Sequence, residues 1–255
     1  MQVRLHEAGG LEVPVEVWGS GGDTLVFLPG LGCHPVYYRR GFEVLAERFR
    51  IVVPDLSFRS HRELPETVHA YLQLVTRIAS DLAPAATWCG HSFGALVALL
   101  SDRPAIACAP SVPVALPLSR MFGRAVWLQL REWVGLEGWL GVRYAGNIMV
   151  DYVGTSVVRP RAIFPAIADL RRPETAFPIA TARAVVYLCA RDELYRRSES
   201  RAYLDVSRHV GIEIRGLDDG HDWPITRPER FVDRVSEAHA RLVTDPEART
   251  RSSPG

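Results

Sequence analysis

Three residues far apart in this chain could do chemistry together: Ser92, Asp192 and His221. Ser92 lies in TWCGHSFGALVALL (87–100), between Gly90 and Gly94, and an apolar run follows at once. A neutral serine hydroxyl is a poor nucleophile. It needs an imidazole to take its proton, and a carboxylate to orient that imidazole and stabilise it once charged. The spacing G-x-S-x-G suits a sharp strand-to-helix turn that lifts the serine clear of a sheet. Glycines two before and two after leave room for the crowded backbone. The motif alone is a weak signal, because serine and glycine are common and a serine in a tight turn looks the same. The rest of the chain has to separate the two.

The elements that would position these residues are legible as short apolar runs. EVPVEVW (12–18) alternates in the manner of a strand. TLVFL (24–28), RIVV (50–53), ATWC (86–89), AIACA (105–109), AVVYLCA (184–190) and IEI (212–214) are each ended by Pro, Gly, Arg or Asp. Runs of this kind belong to parallel sheets covered on both faces. Helical patterns fall between them, at 41–49, 66–82, 93–102, 198–210 and 228–243. In the second, Val68, Leu72, Val75, Ile78 and Leu82 form a stripe. Pro228 suits a helix's first turn. Alternating strands and helices predict an α/β fold with a mostly parallel, twisted sheet flanked by helices.

In such a sheet, ligands gather beyond the carboxyl ends of the strands. PGLG follows TLVFL, GHSFG follows ATWC, PSVP follows AIACA, RDEL follows AVVYLCA, and RGLDDGHDWP follows IEI. A serine, a carboxylate and a histidine therefore all stand at strand ends, in the order Ser92, Asp192, His221. Asp192 competes with its neighbour Glu193 for the role of the carboxylate. PSVP offers no carboxylate, and Asp218, Asp219 and Asp222 flank His221 too closely to reach its far nitrogen.

The alternation breaks between about Ser111 and Pro178. No clear strand occurs there, and Phe122, Trp127, Trp133, Trp139, Tyr144, Tyr152 and Phe164 crowd the stretch. SRMFGRAVWLQLREWV (119–134) has helical spacing. We read residues 111–178 as an inserted helical cap on a core of 1–110 and 179–243, and 244–255 as a polar, disordered tail.

Composition narrows the function. Thirty Lys and Arg against 29 Asp and Glu leave a formal charge of +1, which argues against a broad nucleic-acid footprint. No apolar run approaches the roughly 20 residues of a membrane helix, and no secretory signal is visible at the start. Cys33, Cys89, Cys108 and Cys189 form no C-x-x-C pair, so they read as reduced thiols of a cytoplasmic protein rather than a zinc site. No metal or organic cofactor is implied.

At this point the chain resembles the α/β-hydrolase superfamily, in its capped members with a serine nucleophile. The resemblance spans about residues 10–243. It rests on LPGLG (28–32), GHSFG (90–94), ARDEL (190–194) and GHDWP (220–224), and on the order nucleophile, acid, histidine. It implies the α/β-hydrolase fold, with Ser92 as nucleophile, Asp192 as acid and His221 as base. It further implies an oxyanion hole made by the backbone N–H groups of Leu31 and Phe93. Two features depart from the family's pattern: Pro29-Gly30 stands where many members have His-Gly, and DLSFRSHRE (55–63) lacks the glycines common after that strand.

His34, Trp127 and Trp133 are candidate pocket residues. His91, inside the elbow, is expected to point away from the pocket as a bystander, and Asp55 to fix a turn. The expected activity is cleavage of a small or medium apolar ester through an acyl-enzyme, with a small apolar acyl compound as the partner. A carbon–carbon bond, thioester or lactone hydrolase or a perhydrolase would share the triad. A lyase or cyclase, or a ligand-binding receptor-like protein, would share the fold.

Overall fold

The computed structural model describes residues 1–57, 59–61, 65–113, 123–124, 165, 167–172, 177–192, 194–206 and 211–244. All seven apolar runs fold as strands, and an eighth precedes them. The strands are β1 (Gln2–Ala8), β2 (Leu11–Trp18), β3 (Asp23–Leu28), β4 (Phe49–Pro54), β5 (Thr87–His91), β6 (Ala105–Cys108), β7 (Ala184–Cys189) and β8 (Ile212–Leu217). They form one sheet in the order β1-β2-β4-β3-β5-β6-β7-β8. The β1–β2 and β2–β4 pairs are antiparallel; every later pair is parallel.

The described helices are α1 (Arg39–Leu45), α2 (Val68–Leu82), α3 (Phe93–Leu99), α4 (Arg197–Val206), α5 (Trp223–Thr226) and α6 (Pro228–Thr244). They cover both faces of the sheet, which is why the central strands are apolar without alternation. Along β3, Val26 and Leu28 enter a core shared with α2, α3 and α4. Leu25 and Phe27 enter the opposite core, with Phe42 of α1 and Phe231 of α6. The buried face of α2 is Val68, Tyr71, Leu74, Val75 and Ile78, while Leu72 and Leu82 are only half-buried. The expected stripe is rotated because Tyr71 and Leu74 pack inward.

Few residues of the inserted stretch are described, and those described are fastened to the core. Asp169 accepts a hydrogen bond from the Val68 backbone N–H at the start of α2 (2.9 Å). The Tyr203 hydroxyl donates to the Phe177 carbonyl (2.6 Å), and Arg124 pairs with Glu199 (3.2 Å). The cap expected over 111–178 otherwise lies outside the described residues, with Trp127 and Trp133. So does the tail beyond Thr244, the last residue of α6.

The turn from β5 to α3 is closely packed. A β-carbon on Gly90 would stand 2.3 Å from the Gly94 carbonyl oxygen, and one on Gly94 would stand 2.0 Å from that of Leu28. Both contacts are with backbone, which cannot step aside as a flexible side chain would. Gly94→Ala should therefore destabilise the protein by roughly 3 kcal/mol, lowering the melting temperature by about 10 °C. Gly22→Ala, with open space around it, should stay within about 0.5 kcal/mol of wild type. Scanning calorimetry of the two variants checks the contrast.

Candidate active site

Ser92 follows β5 with φ 53° and ψ −117°, a backbone conformation that L-residues rarely adopt. It is held there from both sides. Its N–H donates to the Cys108 carbonyl (3.0 Å), and its own carbonyl accepts from Ala95 (3.1 Å), Leu96 (3.2 Å) and Ser111 (3.0 Å). Asp192 lies beyond β7 and His221 beyond β8. The parallel pairing of those strands continues into their loops, where Ala190 N–H donates to the Leu217 carbonyl (2.7 Å) and Arg191 N–H to the Asp219 carbonyl (3.0 Å).

These turns bring the three residues into one line. Asp192 Oδ1 accepts from the backbone N–H groups of Leu194 (2.9 Å) and Tyr195 (2.8 Å). Its other oxygen, Oδ2, lies 2.8 Å from His221 Nδ1. His221 Nε2 lies 2.8 Å from Ser92 Oγ. A carboxylate only accepts, so Nδ1 carries the imidazole proton and Nε2 presents its lone pair to the serine hydroxyl. Asp192 and His221 are both buried, which strengthens the electrostatic link between them.

The neighbouring carboxylates are engaged elsewhere. Asp218 pairs with Arg191 (3.3 Å) and Asp219 with Arg230. Glu193, the competitor of Asp192, lies outside the described residues. Leu31 sits in the loop after β3, and Phe93 opens α3. Strands β3 and β5 are adjacent, with Leu28 beside Gly90, so those two segments leave the sheet side by side. A β-carbon on Gly30 would stand 3.6 Å from Ser92 Cβ, which sets the glycine loop against the serine. His34 faces Asp55 instead: its Nε2 lies 3.4 Å from Asp55 Oδ2, and its Nδ1 accepts from the Val36 N–H (3.1 Å). Asp55 does fix a turn, accepting from the Ser57 N–H (3.0 Å) and the Ser60 hydroxyl.

A small apolar pocket of about 20 Å³ opens beside the glycine loop, lined in part by Gly30, Gly32, Tyr71, Val75, Phe93 and Gly94. The buried Tyr71 hydroxyl has no hydrogen-bond partner among the described residues.

Sequence reasoning missed two sets of residues. The first is a buried chain behind the serine. The Gly30 N–H donates to the Tyr38 hydroxyl (3.1 Å), which lies 2.7 Å from His91 Nδ1. His91 Nε2 lies 3.0 Å from the His221 carbonyl oxygen. A carbonyl only accepts, so Nε2 carries the proton, and Tyr38 donates to Nδ1. His91 does point away from the pocket, but it is no bystander: it ties the glycine loop to the backbone of His221. Burial above all, and then the neighbouring His221, pull its pKa down from 6.5 to about 3. The second is Ser111, whose Oγ lies 3.1 Å from Ser92 Oγ. It stands in the loop after β6, and no spacing in the sequence marks that meeting.

His91, His221 and Asp222 offer ligand atoms within 4.8 Å of one another. The ring nitrogens of both histidines are already committed, to Tyr38, the His221 carbonyl, Asp192 and Ser92. A metal ion here would have to break those bonds.

A neutral His91 makes stability depend on pH. The unfolded chain binds this proton below about 6.5, whereas the folded chain resists it down to about 3. The unfolded state holds more protons across that window, so the contribution of His91 is full above it and is lost as pH falls through it. His91→Gln, which keeps an N–H for the His221 carbonyl, should flatten the decline. Melting temperatures of both proteins from pH 7 to pH 4 measure the difference in slope.

Comparison with known proteins agrees with this architecture. No curated protein matches the chain in sequence. Similar solved structures include a membrane phospholipase A, described as a novel bacterial virulence factor, at 15% identity and a TM-score of 0.71, over 96% of this chain and 87% of that one. The enol-lactonase from Burkholderia xenovorans LB400 is 19% identical with a TM-score of 0.70, over 95% of this chain and 100% of that one. A carboxylesterase from Bacillus subtilis is 14% identical with a TM-score of 0.64, over 94% of this chain and 92% of that one. The model of the alpha/beta hydrolase family matches residues 25–234. With that match over most of its length, and with this sheet order, the chain belongs to the alpha/beta hydrolase family.

Proposed function

We propose that this protein is a serine hydrolase that cleaves a small or medium apolar ester through an acyl-enzyme. The observation that carries the reading is the line from Asp192 through His221 to Ser92, with 2.8 Å at each step. In the first half-reaction Ser92 Oγ attacks the acyl carbon as its proton passes to His221 Nε2. Asp192 holds the imidazolium that results. The N–H groups of Leu31 and Phe93 receive the carbonyl oxygen as it gains charge. His221 then protonates the departing alcohol. In the second half-reaction a water molecule attacks the acyl carbon, His221 takes its proton, and that proton returns to Ser92 Oγ.

The apolar lining beside the glycine loop and the Trp- and Leu-rich stretch 111–178 support an apolar acyl group. A lactone is the second reading, favoured by the likeness to the enol-lactonase. A lactone is a cyclic ester and would pass through the same two half-reactions. A cytoplasmic setting fits the reduced cysteines, all four of which are buried and none of which is in a disulfide. Among the described residues no helix is long and apolar enough to cross a membrane.

A fluorophosphonate probe should label wild type on Ser92 and leave Ser92→Ala unlabelled. A folded wild type that takes no label would sink the reading. On nitrophenyl esters from acetyl to dodecanoyl, Ser92→Ala should lower kcat by four to six orders of magnitude, roughly as in other serine triads. Asp192→Asn should keep the fold yet lower kcat by about 10⁴-fold, since the amide no longer fixes the tautomer of His221. Steady-state rates for both variants, beside parallel assays on simple lactones, give the comparison.

A further inference from the structure

A line of hydrogen bonds runs through the site, and one contact at its end is not used above. From Ser92 it passes to His221 and to Asp192 Oδ2. Asp192 Oδ1 accepts from the Tyr195 N–H (2.8 Å). At the other end, Ser111 Oγ lies 3.1 Å from Ser92 Oγ. Ser111, Tyr195, Asp192 and His221 are all buried.

The direction of each bond follows from counting protons. Ser92 has one hydroxyl proton, and it is directed at His221 Nε2, whose lone pair faces it. The contact between the two serines must therefore use the proton of Ser111.

The position of Ser111 fixes what it can do. Strand order places β5 between β3 and β6. The glycine loop meets Ser92 from the β3 side, and Ser111 meets it from the β6 side. Ser111 therefore addresses Oγ itself rather than the carbonyl oxygen. We propose that Ser111 is a further catalytic residue that donates a hydrogen bond to Ser92 Oγ as that oxygen leaves the acyl carbon. This rests on the serine-hydrolase reading.

In acyl-enzyme breakdown the water oxygen bonds to the acyl carbon and its proton goes to His221 Nε2. The C–Oγ bond then breaks, Oγ keeps the bonding pair, and it takes the proton back from His221. Ser111 keeps its own proton throughout. A donor at Oγ stabilises the charge that builds there, so it helps this step outright. In acylation the same bond stabilises the forming alkoxide but also draws on its nucleophilic lone pair, and the two effects offset. The contribution falls on deacylation.

Pre-steady-state kinetics with p-nitrophenyl butyrate separate the two steps. Ser111→Ala keeps the backbone N–H that donates to the Ser92 carbonyl (3.0 Å), and the fluorophosphonate label reports whether the variant retains an assembled site. Deacylation in Ser111→Ala should be about tenfold slower, the worth of one neutral hydrogen bond. The acylation burst should hold within about threefold of wild type. Deacylation at the wild-type rate in a labelled Ser111→Ala would overturn the proposal while leaving the hydrolase reading intact. So would burst and deacylation falling together. A wild type that neither takes label nor shows a burst would overturn both.

Discussion

The carbonyl oxygen of Leu28 and the α-carbon of Gly94 are in contact, with no room for a side chain between them. Helix α3 thus begins directly against the backbone at the end of β3. That approach sets the distance from the serine to the glycine loop, and it forces Ser92 into its unusual φ of 53°. The strain is held by four backbone hydrogen bonds around Ser92, one of them from Ser111. Everything that meets the serine hydroxyl is placed relative to this turn. A looser turn would leave the same residues at the same strand ends without bringing their atoms within 3 Å.

Buried polar groups are costly unless paired, and here they are paired into one connected structure. His91 is the clearest case. A buried imidazole of its kind would be a liability alone, but between the Tyr38 hydroxyl and the His221 carbonyl both its nitrogens are satisfied. The tie joins the segment carrying Leu31 to the one carrying His221 without passing through either side chain. The site is therefore braced from behind by Tyr38 and His91 and met from the β6 side by Ser111.

Particular residues show where sequence reasoning reaches and where it stops. Strands β5, β6 and β7 are buried at every position, and an unbroken apolar run is the direct mark of that environment. β1 left no such mark. Val3 and Leu5 are exposed, and the strand is held by its backbone ladder to β2, which any sequence of moderate β-propensity can form. The short turns Pro35–Tyr38 and Trp223–Thr226 escaped for a related reason, since one helical turn is too short to show a period. On α2, Tyr71 and Leu74 both pack inward and turn the buried face away from the stripe that the spacing alone predicts.

The sequence by itself determined which residues could react. Only a few serines, carboxylates and histidines follow apolar runs, and their order along the chain is preserved whatever the detailed packing. Tertiary structure decided which atoms meet. Asp192 Oδ2 rather than Oδ1 faces His221 because two backbone amides occupy the other oxygen. His34 turned to Asp55 and not toward the serine, because the Val36 amide holds its ring. Ser111 reached the serine and His91 braced the histidine loop, and neither contact has a spacing rule behind it. Local periodicity reports burial one element at a time. Contacts between side chains on different strands depend on register and twist, which exist only once the sheet has formed.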